Sequence, residues 1–329
     1  MVKKETSTIL RGVAILIVIA SHYTEWMGPE NAVHPALAHA ISTWGPFGVD
    51  AFMLLSGYGL YKSADKNGIS LDFVWRRLAA CYIPYLIVAT TLAIITHEVQ
   101  LTNLHWLYAF FTAQDYWFIS VLLVFYLAFM ISFRLFKKMR IPVLSFLVLG
   151  HSVWLYLSGH ADFWTLSNAA FLLGVYAAAA EKHYPALKSL KGRILILAAG
   201  MIGSVACYFW MQHMGGSGRE GAYAAELVLN LFLTLVWLGI ASFFPPFKPL
   251  LFGILGKHTI FIYLTHAILY FTILYRLPAW PYAQQCMITS LASLLFACLL
   301  GEVYDLIGKL ISKNIKCWMK RKIFRGEKT

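Results

Sequence analysis

Charge is scarce in this sequence. Of 329 residues, only 13% are Asp, Glu, Lys or Arg, about half the share of a typical soluble domain. Hydrophobic residues make up 60% and the mean hydropathy is +0.66, so a soluble globular domain is excluded. Cysteine is also sparse: Cys81, Cys207, Cys286, Cys298 and Cys317 are scattered without Cys-x-x-Cys spacing, which excludes a disulfide framework and a zinc ribbon. There is no cluster of metal ligands, no Ser/Pro-rich linker, no low-complexity tract and no internal repeat. Lack of a repeat weighs against a transporter built from two matching halves.

What is present is a series of apolar stretches, each of roughly the ~20 residues that cross a ~30 Å hydrocarbon layer. They lie near 8–27, 44–63, 78–96, 117–136, 142–158, 163–180, 193–213, 223–244, 253–275 and 284–311. The expected fold is therefore an all-α integral membrane protein of about ten transmembrane helices. The 27 Lys and Arg outnumber 15 Asp and Glu, and their position explains the excess. With the N-terminus in the cytoplasm, only Arg219 and Arg276 fall on the outer side. That asymmetry predicts both termini in the cytoplasm, in a multi-pass protein of the inner (cytoplasmic) cell membrane. The cations orient the chain and meet anionic lipid head groups; nucleic acid is not an expected partner. The first span is long for a signal peptide and carries Arg11, His22 and Glu25, so it reads as an uncleaved anchor. One transmembrane domain is expected over 1–312, with a basic cytoplasmic tail over 313–329. The piece Leu104 to Ala113 is too short to span and suits a re-entrant or interfacial position, and the Gly-rich 213–222 reads as a loop.

Ionisable residues inside a membrane are costly, ~2.5–3.5 kcal/mol each on insertion scales, and mark functional sites. Arg11, His22, Asp50, His151, Glu226, His258, His266 and Glu302 qualify. Arg11 and His22 are eleven residues apart, which at 100° each brings them within about 20° of one helix face and separates them by about 16 Å. Histidine suits a general base at neutral pH, and arginine suits phosphate. The spacing fits equally an arginine anchored at the interface and a histidine bonded to a neighbouring helix. Asp50 falls at the depth of His22 on the next, antiparallel span, where a carboxylate would orient an imidazole or cap a helix start.

These residues sit in motifs. Arg11-Gly12-Val13-Ala14 through His22, Phe47-Gly48-Val49-Asp50-Ala51-Phe52 with Ser56-Gly57-Tyr58, Phe73-Val74-Trp75-Arg76-Arg77 with Tyr82-Ile83-Pro84-Tyr85, and Gly256-Lys257-His258 through Tyr263-Leu264-Thr265-His266 follow one another in order. Together they resemble acyltransferase family 3, over about residues 5–312. The resemblance implies a membrane-bound O-acyltransferase of about ten helices. It would move an acyl group, commonly acetyl from acetyl-CoA, to a hydroxyl of an envelope polysaccharide, lipopolysaccharide or peptidoglycan. It implies His22 as the catalytic residue and Arg11 as its motif partner. Three departures stand out: Met53 replaces a usual Phe, Cys81 a frequent Arg, and Trp117 to Leu122 lacks a frequent Glu.

The expected scheme has His22 and Asp50 catalytic, and Arg11, Arg76 and Arg77 gripping acyl-CoA. Trp117 and His266 line the cavity or bind acceptor; no metal or bound cofactor is called for, and the scheme leaves the oligomeric state open. Direct attack by the acceptor and a covalent acyl-histidine relay both fit. Arg76 and Arg77 suit membrane anchors as well, His266 a packed core histidine, and Trp117 an interfacial aromatic belt. Ser56, Gly57 and Gly59 suit close helix approach, and Glu302 and Asp305 suit pairing with nearby lysines. The competing readings are a proton-coupled transporter and an acyltransferase acting on a small cytoplasmic or lipid-linked acceptor.

Overall fold

The computed structural model describes residues 2–213, 218–243, 250–271 and 281–324, and of residues 71, 72, 212, 218–220 and 311–324 the backbone only. Arg276, Lys248 and residues 214–217 of the Gly-rich segment lie outside the described residues, as do the side chain of Arg219 and those of the tail 313–329. The rest of 213–222, expected as loop, is helical, His213 ending one helix and 218–222 opening the next. Among the described residues every regular element is helical. In chain order the helices are α1 Lys4–Trp26, α2 Pro35–Ser42, α3 Gly45–Asn67, α4 Leu71–Arg77, α5 Ile83–Ile95, α6 Leu104–Thr112, α7 Trp117–Leu135, α8 Arg140–Leu157, α9 Asn168–His183, α10 Leu190–His213, α11 Gly218–Phe243, α12 Leu250–Lys257, α13 Thr259–Leu269 and α14 Tyr282–Phe324.

Among the described residues, eight helices are long and apolar enough to cross a membrane, or nine if the bent pair α12–α13 is one span; the chain is a multi-pass membrane protein. Two of the ten expected spans differ from expectation. The stretch near 44–63 is helical, as α3, but falls short of that apolarity: Gly45, Gly48, Asp50, Ser56, Gly57 and Gly59 lower it. Fourteen of its 23 residues are buried, so neighbouring helices rather than lipid surround it. The stretch near 253–275 is not one straight helix. It bends by 78° between α12 and α13, at His258.

Glycines set the close crossings of the interior. A Cβ at Gly12 would lie 2.2 Å from the Phe252 carbonyl oxygen, and one at Gly256 would lie 1.7 Å from that of Thr8, so α1 and α12 touch backbone to backbone. Gly57 and Gly174 do the same for α3 and α9, at 2.0 Å from Phe171 O and 2.1 Å from Leu54 O. Small residues permit such approach where lipid offers no hydrophobic drive. Gly59 does not belong to this set: nothing lies within 4 Å of its Cβ position.

Two helix interruptions shape the interior. Residues Leu78–Tyr82 form a π-helical turn joining α4 to α5. Pro84 follows it, and a proline supplies no N–H to the carbonyl four residues back and crowds it; the wider turn absorbs that conflict. Tyr304 O–H donates to the Ala79 carbonyl across this turn at 2.9 Å. At the other interruption, buried His258 bonds Glu302 through Nε2 at 2.9 Å. Lys257 pairs with Glu302 at 2.7 Å and Asp305 at 2.8 Å, the lysine pairing expected from sequence. Gly301 gives His258 its room, since a Cβ there would sit 2.1 Å from the ring. The short apolar piece after α5 is helix α6, none of it fully buried. Its carbonyls at Phe110 and Phe111 accept from Tyr85 and Tyr82.

Candidate active site at the junction of two cavities

α1 runs between α3 and α12, and two cavities follow it from opposite ends. The first, of about 550 Å³, takes Arg11, Ser56, Gly59, Arg76, Arg77 and Lys257 into its wall. All come from the end of the bundle where α1 begins and α3 ends. The π-turn lends Ala79, Ala80 and Cys81, so the wider turn sits at the cavity surface. The second, of about 800 Å³, lies toward the end where α1 finishes and α3 starts. Glu25, Trp26, Trp106, Asp115 and Phe163 line it. Four residues line both: His22, Val49, Trp117 and Tyr263. His22 therefore stands where the two meet.

The helix-face argument for Arg11 and His22 is matched by the structure, in which both side chains border the first cavity. Arg76 and Arg77 join them there. Arg77 lies over the Phe73 ring at 5.3 Å, and its buried Nε has no hydrogen-bond partner among the described residues. Trp117 stands at the junction and His266 in the second cavity. Gly59 and Ser56, expected at a helix crossing, face the first cavity instead. Lys257, read from sequence only as an orienting charge, is a fourth cation of that cavity. Its membership of the Gly256-Lys257-His258 block was the signal for it.

Asp50 is placed differently from the expected arrangement. It is fully buried, lines neither cavity and makes no hydrogen bond to His22; Ser167 is the hydroxyl beside it. The helical turn explains this. Val49 faces both cavities, and one residue further the side chain has rotated by 100°, away from α1. Shared depth did not bring shared direction.

The partner of His22 is His266. Nδ1 of His22 and Nε2 of His266 are 2.8 Å apart, and His266 Nδ1 lies 2.6 Å from the Tyr263 carbonyl oxygen. The two rings lie edge to edge, nearly coplanar at 11° with centroids 5.1 Å apart, and Trp26 stacks on both, at 5.1 Å from His22 and 5.5 Å from His266. Tyr23 O–H donates to the His266 carbonyl at 3.1 Å and lies 2.5 Å from Ser293 Oγ. Tyr270 O–H donates to Trp26 O at 2.9 Å, so α1 and α13 are tied on both sides of the pair. Among the described residues there is no group of three or more His, Cys, Asp or Glu placed to hold a metal ion.

A histidine on the shared wall of a cation-lined and an aromatic cavity is an arrangement that suits group transfer between two separately bound substrates. Residues 7–302, nearly the entire chain, match the family model of the acyltransferase domain, acyltransferase family 3. The chain belongs to that family. No curated protein and no solved structure matches it.

Proposed function

We propose that this membrane acyltransferase moves an acyl group, most simply acetyl, from acyl-CoA to a hydroxyl of a cell-envelope carbohydrate, with His22 as the general base. The observation that carries this reading is the position of His22 on the shared wall of the two cavities. Acyl-CoA enters the first cavity, its phosphates against Arg11, Arg76 and Arg77, where guanidinium groups match phosphate oxygens. The thioester reaches His22 along the apolar wall of Val18, Val49 and Phe52. The acceptor sugar enters the second cavity, where Trp26, Trp106 and Trp117 offer faces for a pyranose ring. The positive-inside pattern supports the first cavity as the cytoplasmic one.

His22 takes the proton of the acceptor hydroxyl. The oxygen forms a bond to the thioester carbon, the carbon–sulfur bond breaks, and the departing thiolate recovers the proton from the imidazolium. The products are an ester and free CoA, and His22 returns to its starting state. Asp50, which lines neither cavity, takes no direct part.

The test is the base-labile acetyl content of envelope glycans in cells lacking the protein, complemented with wild type or His22→Ala at matched expression. Wild type is expected to restore the acetyl groups and His22→Ala to leave them absent. Full restoration by His22→Ala would contradict the reading. If no ester-linked acyl group disappears on loss of the protein, the envelope acceptor is wrong.

A further inference from the structure

We propose that His266 is the positioning residue of this site: it sets the tautomer of His22, so that Nε2 is the nitrogen that takes the proton. This rests on the reading of His22 as the base and adds how that base is prepared. The argument is one of donors and acceptors. A peptide carbonyl only accepts, so the contact between His266 Nδ1 and Tyr263 O at 2.6 Å requires a hydrogen on Nδ1. In a neutral ring that leaves Nε2 of His266 with a lone pair and no hydrogen. Its contact at 2.8 Å with Nδ1 of His22 then requires the hydrogen to be on His22. Nε2 of His22 is left bare. Which ring nitrogen carries the hydrogen is set by the bond the other one makes, so the contact with His266 fixes Nε2 as the basic nitrogen of His22.

The surroundings hold this chain of two hydrogen bonds in place. His266 is 3% exposed, its own carbonyl accepts from Tyr23, and its ring lies edge to edge with His22 and stacks on Trp26. No carboxylate among the described residues hydrogen-bonds either ring, so a neutral imidazole does the work that a carboxylate does in a serine hydrolase triad. When His22 receives the acceptor proton on Nε2, its Nδ1–H still donates to His266, and the positive charge forms against an acceptor already aligned with it.

Two substitutions separate positioning from packing. His266→Phe keeps an aromatic ring in the stack but removes the acceptor. His266→Gln can place its amide oxygen where Nε2 stood. The assay uses the full-length protein in lipid nanodiscs, with acetyl-CoA and envelope glycan previously stripped of esters by mild base; release of CoA thiol is the readout. The expected result is a fall in kcat of about 100-fold for His266→Phe, with the acetyl-CoA KM unchanged, and recovery of about tenfold of that loss in His266→Gln, in line with general-base contributions. A kcat for His266→Phe at the wild-type level overturns the proposal, as does a His266→Gln protein no faster than the Phe variant at equal thermal stability. Should His266→Phe fail to assemble, His266→Asn, whose shorter amide falls short of His22, takes its place with the same expected loss. Full activity in His22→Ala would instead sink the general-base reading. Loss in His22→Ala with none in His266→Phe sinks only this inference.

Discussion

The two cavities that meet at His22 are opposites in charge. Among the described residues, the first carries Arg11, Arg76, Arg77 and Lys257 against a single carboxylate, Asp305. The second carries Glu25, Glu98 and Asp115, and no Lys or Arg among its described lining. The first is suited to a polyphosphate and the second is not. A donor bearing phosphates and a neutral sugar would thus be sorted before either reaches His22. The contrast teaches that Arg11 and His22, though they share one face of α1, serve different tasks: the arginine belongs to one cavity and the histidine to both.

Several substitutions would break or sharpen that contrast. The largest effect is expected where the cavities meet: His22→Ala should lower transfer by about 10³-fold or more while acetyl-CoA still binds, as equilibrium binding to the purified protein would show. Next is the fold itself. Gly256→Ala puts a Cβ 1.7 Å from Thr8 O, which forces α1 and α12 apart, and should strongly lower the melting temperature. Gly59→Ala has nothing within 4 Å and should leave melting unchanged while narrowing the first cavity. Arg77→Ala should raise the acetyl-CoA KM by about 10- to 100-fold, the worth of a hydrogen bond to a charged group, and leave the acceptor KM alone. Trp117→Ala, at the junction, should raise both KM values by about threefold to tenfold. The smallest effect is expected at Lys257, which already shares its charge with Glu302 and Asp305: Lys257→Gln should raise the donor KM by about two- to threefold.

The helical, membrane-spanning fold was largely legible because apolar length is a property of the linear chain. The helix-face position of Arg11 and His22 was legible for the same reason: a fixed angle per residue relates them within one helix. What escaped depends on contacts between helices. Asp50 lies at the depth of His22, but depth carries no direction, and a rotation of one residue takes it to the Ser167 side. The His22–His266 bond joins residues 244 positions apart, and no local pattern announces it. The bend at His258 comes with a network reaching into α14, and the π-turn with Pro84. A proline marks such a conflict in sequence without saying how it resolves. Gly59 looked like Gly57 in sequence; only the neighbouring helix α9, which meets Gly57, tells them apart.

The central claim is that donor and acceptor arrive by separate cavities and meet at His22. Its most direct test is steady-state kinetics of the purified protein with both substrates varied, comparing wild type with Arg77→Ala. The account predicts a raised KM for acetyl-CoA, an unchanged KM for the glycan and a kcat near wild type. An unchanged acetyl-CoA KM together with a raised glycan KM would contradict it, because the cation-lined cavity would then belong to the acceptor.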